Sequence, residues 1–206
     1  MLIRRETRSD IDAIRAVTSA AFAKSDTVST PNPPNPPNPP NPPDPPNSPS
    51  TLATRHALNT TVPVEATLLD ELRVSDGWLP ALSFVATGDR GEVIGHVVCT
   101  RGHVGSDLAL ALGLGPLSVH PAHQRRGVGL ALVHAVLGAA DAFGESLVAL
   151  LGSPAYYGRF GFRPSTEYGI TAPDPAWGDY FQVRTLTAYQ PSLKGPFTYA
   201  EPFDRV

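Results

Sequence analysis

One stretch limits the possible folds more than any other. The segment DLALALGLGPLSV, residues 107–119, is apolar on both faces, as a strand covered by structure on each side must be. It runs without a hairpin turn into HPAHQRRGVG and then into a helical pattern. From Val128 to Asp141 apolar residues fall at Val128, Leu132 and Val136, and again at Leu130, Val133 and Leu137, before Gly144 ends the helix. SLVALLG follows as a second buried strand. Strand, helix and strand joined by short loops make a βαβ unit, so the two strands should run parallel with a right-handed crossover.

The remaining segments fit around that unit. MLIRRE reads as a first strand, and Ser9 or Asp10 could cap a helix with apolar positions Ile11, Ile14, Val17, Ala21 and Phe22. Val64 to Val74 reads as a second helix carrying Leu68, Leu69 and Leu72 on one side. ALSFVATG and EVIGHVVCTRGHV are expected to form a hairpin across GDRGE, whose glycines and aspartate supply turn chemistry. Beyond Phe162, YGIT and YFQVRTLT look like two closing strands, with Trp177, Tyr180 and Phe181 either completing the core or burying a homodimer interface. Between the first two helices, Pro31 to Pro49 repeats Asn-Pro-Pro four times. Such a run lacks amide hydrogens and core residues, so it should be polyproline II or disordered, spanning roughly 60 Å at about 3.1 Å per residue. It is expected to be a loop insertion within a single domain covering residues 1–206.

A formal charge of −3 gives no global field for a polyanion, and Arg101, Arg125 and Arg126 alone are a small footprint for nucleic acid. The lone cysteine, Cys99, excludes an intrachain disulfide and reads as a buried small hydrophobe. No His/Cys/Asp/Glu cluster has metal spacing, so no metal is expected. With neither a secretory signal nor a membrane-length apolar run, the chain reads as soluble and cytoplasmic, with no membrane partner.

The seam between strand and helix is where chemistry is expected. A helix starting near Gly127 leaves its first amides unpaired and attractive to an anion. Gly127 and Gly129 keep side chains out of the way, and Arg125 and Arg126 add charge. Taken alone, the pattern is equally that of a loop turning into a helix beside solvated arginines. It is neither a Walker A loop nor the dinucleotide Gly-x-Gly-x-x-Gly.

Gln124-x-x-Gly127-x-Gly129, followed by Tyr157-x-x-x-Gly161-Phe162 past the second strand, resembles the GNAT superfamily of acyl-CoA-dependent N-acetyltransferases. LGPLSVHPAHQRRGVG, LGSPAYYGRFGF and the late GPFTYAEPFD look more narrowly like its YhbS-type branch. The resemblance implies an α/β fold with a central mixed sheet flanked by helices, acetyl-CoA as acyl donor, and a primary amine of a small molecule or peptide as acceptor. It also implies a backbone contact from Leu117, Ser118 and Val119 to the pantetheine arm. The amides of Arg125, Arg126, Gly127, Val128, Gly129 and Leu130, supported by Gln124, would hold the pyrophosphate. Ser153 stands where many members carry an asparagine near the pantetheine. Tyr157 matches the frequent general acid, which protonates the departing thiolate. Tyr156, Phe160 and Phe162 read as aromatic packing. The strand carboxylate many relatives use as base is missing from ALGLGPLSV, and Glu65, Glu71, His96, His103 and His120 are polar candidates elsewhere. That gap keeps a second reading open, an acyl-CoA sensor of the same fold without turnover.

Overall fold

The computed structural model describes residues 1–23, 63–106 and 109–205, and the proline insertion lies outside them. The strands are β1 (Leu2–Arg5), β2 (Ser83–Thr87), β3 (Val93–Val104), β4 (Ala109–Val119), β5 (Leu147–Leu151), β6 (Arg163–Pro164), β7 (Ile170–Thr171), β8 (Phe181–Thr185) and β9 (Gly195–Thr198). The helices are α1 (Ile11–Phe22), α2 (Val64–Val74), α3 (Val128–Ala142) and α4 (Pro154–Tyr157). The sheet order is β1-β2-β3-β4-β5-β8-β6, with β9 pairing β3 and β7.

The doubly apolar strand is β4, and it does sit mid-sheet. One face packs Leu112 and Leu114 against Leu132, Val133 and Val136 of α3, while Ala111 joins Phe181 and Phe197 in a second cluster. Of the two apolar rows expected on α3, Val128, Leu132 and Val136 are buried with Val133 and Leu137, whereas Leu130 is exposed. Helices α1 and α2 cover the opposite face, where Ile14 and Leu69 meet Val85 and Val98. Truncating Leu132 would cost about 3 kcal/mol through lost burial and the cavity left behind. Cys99 is fully buried in the α3-side cluster, and burial pushes its thiol well up, so it acts as a packed hydrophobe.

Three expectations are corrected. Neither Ser9 nor Asp10 caps α1 by a side-chain bond. The Asp10 carboxylate instead accepts from Arg4 at 2.6 and 2.8 Å and from the Thr7 amide at 2.8 Å, tying β1 to the turn before the helix. YGIT contributes only Ile170–Thr171, which leaves the main path to pair in parallel with β9. Strand β9 itself, GPFT, was not anticipated, because four residues opening on Gly-Pro show no alternation to read.

The βαβ unit forms as expected, but its strands stay together only briefly. β4 and β5 pair in parallel at Leu112 with Val148 and at Gly113 with Ala149, and no further. Beyond that point β4 follows β3 as far as Val119, while β5 follows β8. The β3–β4 register shifts between Val97 and Cys99, opposite the cis Gly115-Pro116 pair. A wedge-shaped opening therefore lies between the two halves of the sheet, walled by the last residues of β4.

Candidate active site

The loop leaving β4 is bent by backbone rather than by side chains. Arg125 and Gly127 both have left-handed φ, 59° and 82°, and at Gly127 the missing Cβ makes that conformation cheap. Gln124 Nε2 donates to the Val119 carbonyl at 3.1 Å and closes the loop on the strand. The first bond of α3 runs from Ala131 N–H to the Gly127 carbonyl at 3.0 Å, which leaves the amides of Val128, Gly129 and Leu130 ahead of the helical ladder. Val128 is buried and fixes the helix start, while Gln124, Arg125, Arg126 and Gly127 are exposed. Neither arginine forms an ion pair among the described residues. Arg101 is engaged elsewhere, gripping Glu145 at 2.6 and 2.8 Å, so the three arginines do not act as one patch.

Leu117 and Val119 lean on the α3-side core. Ser118 is buried toward α1, where its hydroxyl meets Thr18 Oγ1 at 3.1 Å, so only its backbone can face the opening. Ser153 is exposed; its carbonyl accepts the Tyr156 and Tyr157 amides at 2.9 Å each, and its hydroxyl makes no capping bond.

Tyr157 closes the wedge from the β5 side. Its ring packs against Tyr156, Phe160 and Phe162 and lies directly over Gly152, where a Cβ would collide with its Cε2. Burial, with a smaller contribution from Tyr156, pushes the Tyr157 phenol up to about 12. A phenol so placed keeps its proton throughout the neutral range. Tyr156, expected only to pack, does more: its hydroxyl reaches the first turn of α3, where a Cβ on Gly129 would come within 2.7 Å of it.

A cavity of about 800 Å³ opens from Tyr157 and from Leu114 to Leu117, and continues to Glu65, Trp177 and Tyr199. The Tyr199 ring sits over Gly113, where the two strands part, and burial followed by the nearness of Tyr157 raises its phenol. Of the five polar candidates weighed as a base, Glu65 alone lines this cavity. Glu71 pairs with Arg205, His120 accepts the Ala122 amide within its own turn, and His103 faces a different depression. His96 is fully buried in a cluster with Ser83 and Glu6, and burial lowers its pKa. Trp177, Tyr199, Phe203 and Asp204 also line the cavity; the last three fall in the GPFTYAEPFD segment, to whose residues the sequence assigns no site role.

A profile of the acetyltransferase (GNAT) domain matches residues 80–164, from the turn before β2 to the end of β6. The N-acetyltransferase YhbS of Escherichia coli K12 is 34% identical over 142 residues, 68% of this chain and 84% of that protein. The chain belongs to the GNAT acetyltransferase family. The N-acetyltransferase YjhQ of the same strain is 32% identical over 144 residues, 67% of this chain and 79% of its own length. The crystal structure of the GNAT protein YhbS from Escherichia coli in complex with CoA superposes with a TM-score of 0.74 at 26% identity, covering 99% of this chain and 92% of that one. A GNAT acetyltransferase from Brucella melitensis in complex with acetyl-CoA gives 0.64 at 28% identity, covering 98% and 97%. This GNAT chain is thus an N-acetyltransferase with the mixed sheet of its family. Among its described residues no group of three or more His, Cys, Asp or Glu is placed to hold a metal, and no helix is long and apolar enough to cross a membrane.

Proposed function

We propose that this protein transfers the acetyl group of acetyl-CoA to a primary amine by direct attack in a ternary complex. The observation that carries the reading is the coincidence, on one opening, of an unpaired strand edge, a bare helix start and a protonated tyrosine. Solved relatives bound to CoA and to acetyl-CoA support the choice of donor.

The residues present fit that donor. Beyond Gly113 the β4 edge facing β5 has no strand partner, which suits an extended amide-bearing arm held by the backbone of Leu117, Ser118 and Val119. The amides of Val128, Gly129 and Leu130 would meet a pyrophosphate, with Arg125, Arg126 and Gln124 around them and the exposed Ser153 beside the arm. The Tyr156 hydroxyl adds a donor at the same turn. When bound, the donor supplies an activated acyl thioester.

Tyr157 supplies the proton. The acceptor ammonium loses one proton to solvent, the amine nitrogen forms the C–N bond, and the C–S bond breaks. Tyr157 protonates the leaving sulfur, and one of the two protons on the now cationic attacking nitrogen restores the phenol, leaving the product amide with its single N–H. A main-chain amide of the Leu117 to Val119 stretch would stabilise the developing oxyanion.

Thiol release from acetyl-CoA, measured across amines, amino acids, polyamines and peptides, tests the reading. Amine-dependent release is the expected result. Tight CoA binding with no release for any acceptor would instead favour the sensor, a reading sustained by the absence of a carboxylate from the Leu114 to Val119 stretch of β4.

A further inference from the structure

The cavity beyond Tyr157 is far larger than an acetyl group needs, and its walls are chemically one-sided. Trp177, Phe197, Tyr199 and Phe203 form a continuous aromatic wall: Phe197 and Tyr199 meet at 4.7 Å, Tyr199 and Phe203 at 4.8 Å, and Trp177 and Tyr199 at 6.5 Å between centroids. Leu68 of α2 and Leu114 of β4 extend the apolar lining. Among the described lining residues the charged side chains are Glu65 and Asp204, with no lysine, arginine or histidine. Neither carboxylate has a hydrogen-bond or ion-pair partner among the described residues, unlike Glu71 on the same helix, which holds Arg205.

Resting on the acetyl-transfer reading, we propose that the acceptor is a cationic primary amine on an aromatic or otherwise apolar body. Its ammonium is drawn in by Glu65 and Asp204, and its body lies against the aromatic wall. Two unpaired carboxylates attract an ammonium and repel an acceptor that also carries a carboxylate or phosphate. Aromatic faces favour the same cation and supply the apolar contact that a polyamine or amino sugar would not use. Free amino acids, nucleotide amines and highly polar polyamines are therefore poor acceptors.

Two measurements on the full chain test this. The first is thiol release from acetyl-CoA with 2-phenylethylamine, spermidine, glycine and glucosamine as acceptors. The expected order places 2-phenylethylamine first by about ten-fold or more in kcat/KM. Glu65→Gln combined with Asp204→Asn should raise its KM about ten-fold and leave the KM for acetyl-CoA unchanged. The second is calorimetric titration of the CoA-loaded wild type with phenyltrimethylammonium, which carries the charge and ring but cannot accept acetyl. Binding in competition with 2-phenylethylamine is expected, and because it uses the wild type it stands whether or not the double variant folds. Binding of the quaternary ion with no turnover of any amine would sink acetyl transfer and leave the cavity's ligand class standing. Brisk turnover of spermidine or glycine, with phenyltrimethylammonium failing to bind, would overturn the ligand class and leave acetyl transfer standing. Preference for octanoyl-CoA over acetyl-CoA, with no binding of the quaternary ion, would assign the cavity to the acyl chain and also overturn the inference.

Discussion

Two groups of polar side chains are held near the sheet, and they differ in how far the protein itself engages their oxygens; in the first, Arg73 Nη2 and His96 Nδ1 stay unpartnered among the described residues but the carboxylate does not. In the first, the Glu6 carboxylate accepts from Arg73 Nε at 2.8 Å, from the Ser83 hydroxyl and from His96 Nε2 at 3.2 Å, under α2 and beside β2 and β3. Burial alone would raise the Glu6 carboxyl, but the bonds from His96, Arg73 and Ser83 hold it at about 2. In the second, the Tyr157 and Tyr199 hydroxyls and the Glu65 and Asp204 carboxylates line a cavity with no protein partner among the described residues. Bonds that engage a buried carboxylate stabilise the fold, whereas polar groups on a cavity wall without protein bonds are available for a ligand. The Glu6 cluster is the scaffold of this molecule and the cavity is its workplace.

Four substitutions can break or sharpen that contrast. The largest effect is expected from Glu6→Gln, which takes from the buried Arg73 one of its two carboxylates, with Asp70 remaining at 3.2 Å, and should cost about 3 kcal/mol, read as a melting temperature lower by roughly 10 °C. The same cluster sets an acid limit. Glu6 is held at about 2 in the folded state against an ordinary 4.5, so its stabilisation is complete above pH 4.5 and drains away as pH falls toward 2. His96 adds in the same direction, because below its ordinary 6.5 the unfolded chain takes a proton that the buried ring resists. Glu6→Gln should accordingly flatten the fall in melting temperature between pH 4.5 and 2. Tyr157→Phe comes next. It should lower kcat about a hundred-fold, near 2.7 kcal/mol, with the melting temperature and CoA affinity almost unchanged. Unaltered kcat would remove Tyr157 from the chemistry and blur the contrast.

Gly152→Ala should follow with about a ten-fold loss in kcat, since the added methyl must displace the Tyr157 ring. The smallest effect belongs to Tyr156→Phe, which deletes a hydroxyl beside Gly129 and should weaken CoA binding a few-fold, about 1 kcal/mol, in a titration that leaves kcat alone. An equal loss of stability and no loss of affinity would return Tyr156 to the core.

The proposed donor side of the opening is legible in the sequence because its residues are neighbours in the chain. Residues 117–130 turn one strand into one helix, and 152–162 leave the paired strand, so fixed offsets carry the geometry. The cavity proposed for the acceptor is assembled from α2, the 175–180 turns, β9 and the C-terminal turn, and no spacing links Glu65 to Trp177 or Tyr199. Within VEATLLDEL nothing distinguishes Glu65 from Glu71. Six residues apart, they point roughly a third of a turn away from each other, one to the cavity and the other to Arg205. The packing expected of Tyr156 is present, its ring lying on Phe160 and Tyr157, and the place of its hydroxyl beside Gly129 depends on a contact between distant elements that no spacing encodes.

The early parting of β4 from β5 also bears on how the protein behaves before it meets its donor. A strand edge with free amides and carbonyls is a template on which another chain can add itself. Whatever lies along that edge in the working enzyme also shields it from such pairing, and by mass action favours the soluble folded form. With the donor bound as proposed, acyl donor and guardian against aggregation are the same molecule, and purification in the presence of CoA should recover more monodisperse protein than purification without it.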